Sequence, residues 1–122
     1  MKKILIVEDE RILAEMYQKK LEMEGFEVFL AENAKEGLEI AKEKKPDLVL
    51  LDILLPGESG LFFLKELKKD AKLSKIPVFA FSNYEDQKTR EKSRSLGAEE
   101  YLIKTNYTPA EVIEKIKKYL KE

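Results

Sequence analysis

Short, unbroken aliphatic runs alternate with longer amphipathic stretches along the whole chain, and few folds accept that pattern. "KILIV" (3–7) precedes "RILAEMYQKKLEME", where Ile12, Leu13, Met16, Tyr17 and Leu21 recur at helical spacing. Gly25 predicts a left-handed stop to that helix. "EVFLA" (27–31) precedes "NAKEGLEIAKEKK", with Asn33 as the expected N-cap and Glu36 placed to complete a capping box. Pro46 closes that helix and "LVLL" (48–51) opens the third unit. "LFFLKELKKD" reads as its helix, and "IPVFAFS" (76–82) as a strand with Pro77 near its start. "QKTREKSRSL" reads as a helix ending at Gly97, and "EYLIK" (100–104) as a short strand. Thr108 as N-cap, Pro109 at N1 and Glu111 at N3 mark the last helix, expected to run through "AEVIEKIKKYLKE" to the chain end.

Strand–helix units in series imply right-handed crossovers and a parallel sheet covered on both faces. The expected fold is therefore α/β, a doubly wound (βα)5 arrangement with a five-stranded parallel sheet. "ILIV" and "LVLL" are the most continuously apolar runs and belong at the sheet centre, while "EVFLA" and "EYLIK" carry terminal charges and suit the edges. The expected strand order is 2-1-3-4-5, flavodoxin-like, which places ligands beyond the strand C-termini where the order reverses. With 122 residues, 43% of them hydrophobic, one domain over 1–122 is expected, with no linker or low-complexity tract.

Charge excludes several function classes. Twenty-three basic side chains nearly cancel 24 acidic ones, so a net charge of −1 offers no field for nucleic acid. The apolar run after Met1-Lys2-Lys3 is too short for a signal peptide, and nothing approaches a membrane span, so a cytoplasmic location is expected. Cys is absent, which removes disulfides and thiol catalysis. His is absent too, which removes the commonest neutral-pH base and zinc ligand. Chemistry here has to use carboxylates, Lys, hydroxyls or an oxygen-preferring metal.

"LVLLDILLPGESG" (48–60) sets one carboxylate, Asp52, between two aliphatic runs, where an uncompensated charge costs several kcal/mol. In the expected topology Asp52 follows the third strand, Glu8 and Asp9 the first, Ser82 the fourth and Lys104 the fifth. Each alone has an ordinary reading: a turn Asp, an acidic helix start, a capping Ser, a surface Lys. Joint placement on one rim is the signal. Converging carboxylates repel unless a cation joins them, and hard oxygen ligands with room for water suit Mg²⁺ best.

These residues also carry a resemblance. "ILIVEDE", "LVLLDILLPGESG", "VFAFSN" and "LGAEEYLIK" stand in order, and the whole chain resembles a receiver domain of bacterial two-component response regulators, the CheY-like module. The resemblance implies that Asp52 accepts a phosphoryl group from a phosphohistidine on a sensor histidine kinase or phosphotransfer protein. It implies Mg²⁺ held by Asp9, Asp52 and the Leu54 backbone carbonyl, with Glu8 acting through water. Lys104 and Ser82 would contact the phosphoryl group, and Tyr101 would change rotamer as Ser82 moves. It also implies no enzymatic activity beyond gaining and losing that group, and an output face of fourth helix, fifth strand and fifth helix that contacts a downstream protein or a second copy.

Ser82 stands where Thr is more usual and keeps the hydroxyl. Asn83 replaces a usual small residue. Thr105 stands where Pro usually follows the lysine, and a cis bond before a non-proline residue costs roughly 3–4 kcal/mol, so a trans Lys104–Thr105 peptide is expected. A flavodoxin is one rival, but "EDER" after the first strand would repel the FMN phosphate. An aspartate-based phosphohydrolase would resemble a D-x-D pattern, whereas Asp52 is followed by Ile53 and Leu54. A pseudo-receiver working without phosphorylation and a phosphorelay intermediate are the remaining alternatives.

Overall fold

The structure, a computed structural model, describes residues 1–83 and 86–121. Its elements are β1 (Lys3–Val7), α1 (Arg11–Met23), β2 (Glu27–Ala31), α2 (Ala34–Lys44), β3 (Leu48–Leu51), α3 (Gly60–Lys69), β4 (Val78–Ser82), α4 (Gln87–Ser95), β5 (Glu100–Ile103), a 3-10 turn (Lys104–Asn106) and α5 (Pro109–Leu120). The sheet is parallel throughout, in the expected order β2-β1-β3-β4-β5. Register aligns Val7 with both Ala31 and Leu51, Leu51 with Ala80, and Ser82 with Ile103.

Alternation along the central strands feeds two cores. Ile4, Ile6, Leu48, Leu50, Phe79 and Phe81 pack on α1 and α5 through Ala14, Tyr17, Leu21, Val112 and Ile116. Leu5, Val7, Val49, Leu51, Val78 and Ala80 pack on α2 and α3 through Ala34, Ala41, Phe63, Leu64 and Leu67. β3 is buried at all four positions, which is why it reads as a continuous aliphatic run rather than an alternating one. Two apolar faces therefore hold the strand that carries Asp52 at its end.

The element ends depart from the sequence reading in small ways with local causes. β4 starts at Val78, because Pro77 has no N–H to give to the ladder, although its carbonyl still accepts the Val49 N–H at 2.9 Å. α3 starts at Gly60 with Ser59 as N-cap, its Oγ accepting the Phe62 N–H at 3.2 Å. Lys104 falls in the 3-10 turn rather than in β5. The capping box at Thr108 and Glu111 forms in full. At α2 only half of the expected box forms: Asn33 accepts the Glu36 N–H at 2.8 Å, but the Glu36 carboxylate reaches one residue further back, to the Glu32 N–H at 2.8 Å. Gly25 adopts φ +96°, as a left-handed helix stop requires. α5 stops at Leu120, and Glu122 lies outside the described residues.

α4 is the odd helix. Its sequence is almost entirely polar, and Ser93 is its one buried residue, with Oγ donating to the Arg90 carbonyl of the same helix at 3.0 Å. Asp86 caps it, accepting from both the backbone N–H and the hydroxyl of Thr89. Among the described residues, no helix is long and apolar enough to cross a membrane.

Candidate functional site

The parallel ladder continues one step past the strand ends and fixes two carboxylates there. The Glu8 N–H donates to the Ala31 carbonyl at 2.9 Å, and the Asp52 N–H to the Val7 carbonyl at 2.9 Å. Asp52 Oδ1 then accepts the Leu54 N–H at 3.1 Å, a two-residue turn that aims its carboxylate. Behind it, the Gly60 N–H donates to the Ile53 carbonyl at 2.9 Å. A Cβ at Gly60 would overlap the Asp52 carbonyl oxygen and sit 2.7 Å from the Ile53 Cα, so the start of α3 lies directly on the backbone of the acidic residue.

Lys104 arrives from the other side of the sheet. Its Nζ donates to Glu8 Oε1 at 2.8 Å and lies 3.5 Å from Asp52 Oδ2 and 3.6 Å from Glu10 Oε1. Lys104, Glu8 and Asp52 side chains are only 9%, 3% and 7% exposed. The Phe81 ring closes the lysine's apolar side, its centroid 5.3 Å from Nζ. The Lys104–Thr105 peptide is trans, as expected.

Carboxylate oxygens of Glu8, Asp9 and Asp52 lie within 4.8 Å of one another; Asp9 is exposed. Burial pushes the Glu8 carboxyl up to about 7, against the pull of the Lys104 hydrogen bond, with the Asp52 charge adding to the rise. Burial likewise raises Asp52, partly offset by Lys104. For Lys104 burial opposes the charge, but the Glu8 hydrogen bond and the Asp52, Glu8 and Glu10 charges outweigh it and hold the ammonium above its usual range. One ammonium thus serves three carboxylates with Asp9 beside them. The rim carries surplus negative charge on oxygen donors alone, which fits a hard divalent cation such as Mg²⁺.

The structure therefore brings Glu8, Asp9, Asp52 and Lys104 together. Ser82 is the last residue of β4, where "IPVFAFS" ends, and is fully buried opposite Ile103. Tyr101 is set apart: half-buried on β5 opposite Ala80, with the Arg90 guanidinium of α4 5.4 Å from its ring centroid. Leu54 lies exposed in the turn after Asp52. Sequence reasoning missed Glu10. The third carboxylate of "EDE" was visible, but not that its side chain turns toward a lysine 94 positions along the chain.

Comparison with known proteins finds matches over nearly the whole chain. Residues 4–117 match the response regulator receiver domain family. The polar-differentiation response regulator DivK of Brucella anthropi is 39% identical over 119 residues, covering 98% of this chain and 96% of DivK. The phosphate regulon transcriptional regulatory protein PhoB of Pseudomonas aeruginosa is 35% identical over 98% of this chain, which spans only 52% of PhoB. The crystal structure of a CheY-like receiver domain protein from Methanospirillum hungatei superposes with a TM-score of 0.91 at 32% identity, covering 98% of this chain and 94% of that one.

Proposed function

We infer the function from one premise: this chain belongs to the response regulator receiver domain family of two-component signalling. Receiver domains are signalling modules rather than enzymes in the ordinary sense; they bind Mg²⁺ at an acidic pocket and meet histidine kinases or phosphotransfer proteins. For this chain we propose that residues 1–122 act as one such domain, with Asp52 as the phosphoryl acceptor. An Asp52 carboxylate oxygen forms the new P–O bond while the P–N bond to the donor imidazole breaks, its electron pair staying on the nitrogen. Glu8, Asp9, Asp52 and the Leu54 carbonyl would hold Mg²⁺, which when bound neutralises charge on the phosphoryl oxygens.

The observation that carries this reading is Lys104 seated between Glu8 and Asp52. It supplies a positive centre beside the acceptor before any phosphoryl group arrives. Ser82, at the adjacent strand end, would donate its hydroxyl to a phosphoryl oxygen. Such a bond to a charged group contributes about 1.5–3 kcal/mol, enough for a roughly tenfold or greater population shift between two arrangements of Tyr101. The altered surface would be α4, β5 and α5, offered to a downstream protein or to a second copy.

Incubation with a small acyl phosphate and Mg²⁺, read by intact mass, should add one phosphoryl group that Asp52→Asn abolishes. Labelling that survives the substitution would sink the assignment. A phosphoryl mimic with Mg²⁺ should also shift NMR signals at Tyr101 and along α5, and Ser82→Ala should blunt those remote shifts while permitting phosphorylation. Shifts confined to the acidic rim would instead indicate a relay that passes the group on without switching. Absence of labelling under all conditions would favour a pseudo-receiver.

A further inference from the structure

Glu10 occupies the N-cap of α1, a position where the shorter Ser, Thr, Asp or Asn side chain usually accepts a backbone N–H from the first helical turn. It makes no such bond. Its side chain instead brings Oε1 to 3.6 Å from Lys104 Nζ, while its own N–H donates to Glu8 Oε2 at 3.1 Å. Glu8 is thus fixed through both oxygens, one by Lys104 and the other by the Glu10 backbone. The Glu10 side chain remains 62% exposed, so packing does not force this orientation.

We propose that Glu10 is a positioning residue that shares the grip on Lys104: its carboxylate competes with an incoming phosphoryl group for the ammonium and adds to the charge that attracts a divalent cation. The proposal rests on the phosphoryl-acceptor reading of Asp52. During loading from an acyl phosphate, an Asp52 oxygen bonds to phosphorus as the P–O bond to the acyl group breaks, its electron pair leaving on the carboxylate product. Lys104 has to turn from Glu8 and Glu10 toward the phosphoryl oxygens in that step. Removing the Glu10 charge therefore acts in two opposed directions. Mg²⁺ loses a nearby negative charge, while Lys104 loses one of the partners that compete with the phosphoryl group.

The test compares Glu10→Gln with Glu15→Gln, which removes the same charge one turn along α1 from a residue paired with Arg11. Calorimetric titration with Mg²⁺ alone should show Glu10→Gln binding roughly two- to fivefold more weakly than the unmutated protein, while loading from acetyl phosphate at saturating Mg²⁺ speeds up about two- to fivefold. Glu15→Gln should change neither beyond about 1.5-fold. A merely structural defect would slow loading as it weakened metal binding, and that result would overturn the proposal. Equal behaviour of the two variants in both measurements would overturn it as well. If the unmutated protein takes no phosphoryl group, the acceptor reading fails separately, and the Mg²⁺ titration still decides whether Glu10 acts on the rim.

Discussion

Lys104 at the C-terminal rim of the sheet and Lys68 near its N-terminal rim are both drawn out of water, yet their protonation moves in opposite directions. Lys68 Nζ donates to two backbone carbonyls, Ser74 at 2.9 Å and Ile76 at 2.8 Å, and burial lowers its pKa with only partial relief from the Glu99 charge. Lys104 meets carboxylates, and its pKa rises despite burial. Neutral carbonyls satisfy hydrogen-bonding capacity without balancing charge; carboxylates do both. The difference has a functional side. The partners of Lys68 are main chain, so it pins the segment between α3 and β4 in place. The partners of Lys104 are side chains, which under the proposed function a phosphoryl group would replace.

The largest expected effect separates the two lysines. Lys104→Met should cut loading from acetyl phosphate by about a hundredfold, the usual cost of losing one aimed charge at such a site, with the circular dichroism of the folded protein retained. A loss under tenfold would mean that Lys104 is as structural as Lys68.

Next comes pH. Glu8 is raised from 4.5 to about 7, so between those values the folded chain keeps a proton that the unfolded chain has released. Stability without Mg²⁺ should therefore fall as pH rises across that window, by up to about 3 kcal/mol from this group. Denaturation of Glu8→Gln should show a flatter profile over the same range, and added Mg²⁺, which favours the ionised carboxyl, should flatten the unmutated profile. Identical slopes in the two proteins would show that the rim is better hydrated than its burial indicates.

Lys68→Met keeps volume but loses two bonds to carbonyls. It should destabilise by about 1–2 kcal/mol in urea titrations and leave loading unchanged. Smallest is Glu99→Gln, which removes the charge acting on Lys68 and should alter stability by less than about 0.5 kcal/mol. A larger effect would mean that Lys68 depends on charge balance after all, and the contrast with Lys104 would shrink.

Much of this contrast could be read in the residues only on one side. Asp52 was legible because "LVLLDILL" makes a charge conspicuous against aliphatic neighbours, and the five apolar runs ordered the sheet because burial on both faces leaves that imprint. Lys104 was legible through its place after the fifth run. Lys68 was not: within "KELKKD" it looks like Lys65 or Lys69, and only the helix phase and the fold of residues 74–76 decide which lysine turns inward. Glu36 and Glu10 escaped for a related reason. Carboxylates near helix starts have several backbone and side-chain partners within reach, and the choice depends on neighbours the local sequence does not contain. Ser82 and Lys104 both read as strand-end residues on the rim, and only the ladder decides that Ser82 stays in β4 while Lys104 leaves β5 for the 3-10 turn.

The contact at Gly60 has a mechanical consequence. With no side chain between the start of α3 and the Asp52–Ile53 backbone, those two pieces meet as a hard stop with nothing to compress. On the opposite flank, β4 and β5 border a helix whose one buried residue is Ser93. The rim is thus closely packed behind the acidic residue, and the helix on its other flank buries little. If phosphorylation displaces the Asp52 turn as proposed, that packing leaves little room toward α3, and the displacement is expected to run toward β4, β5 and α4.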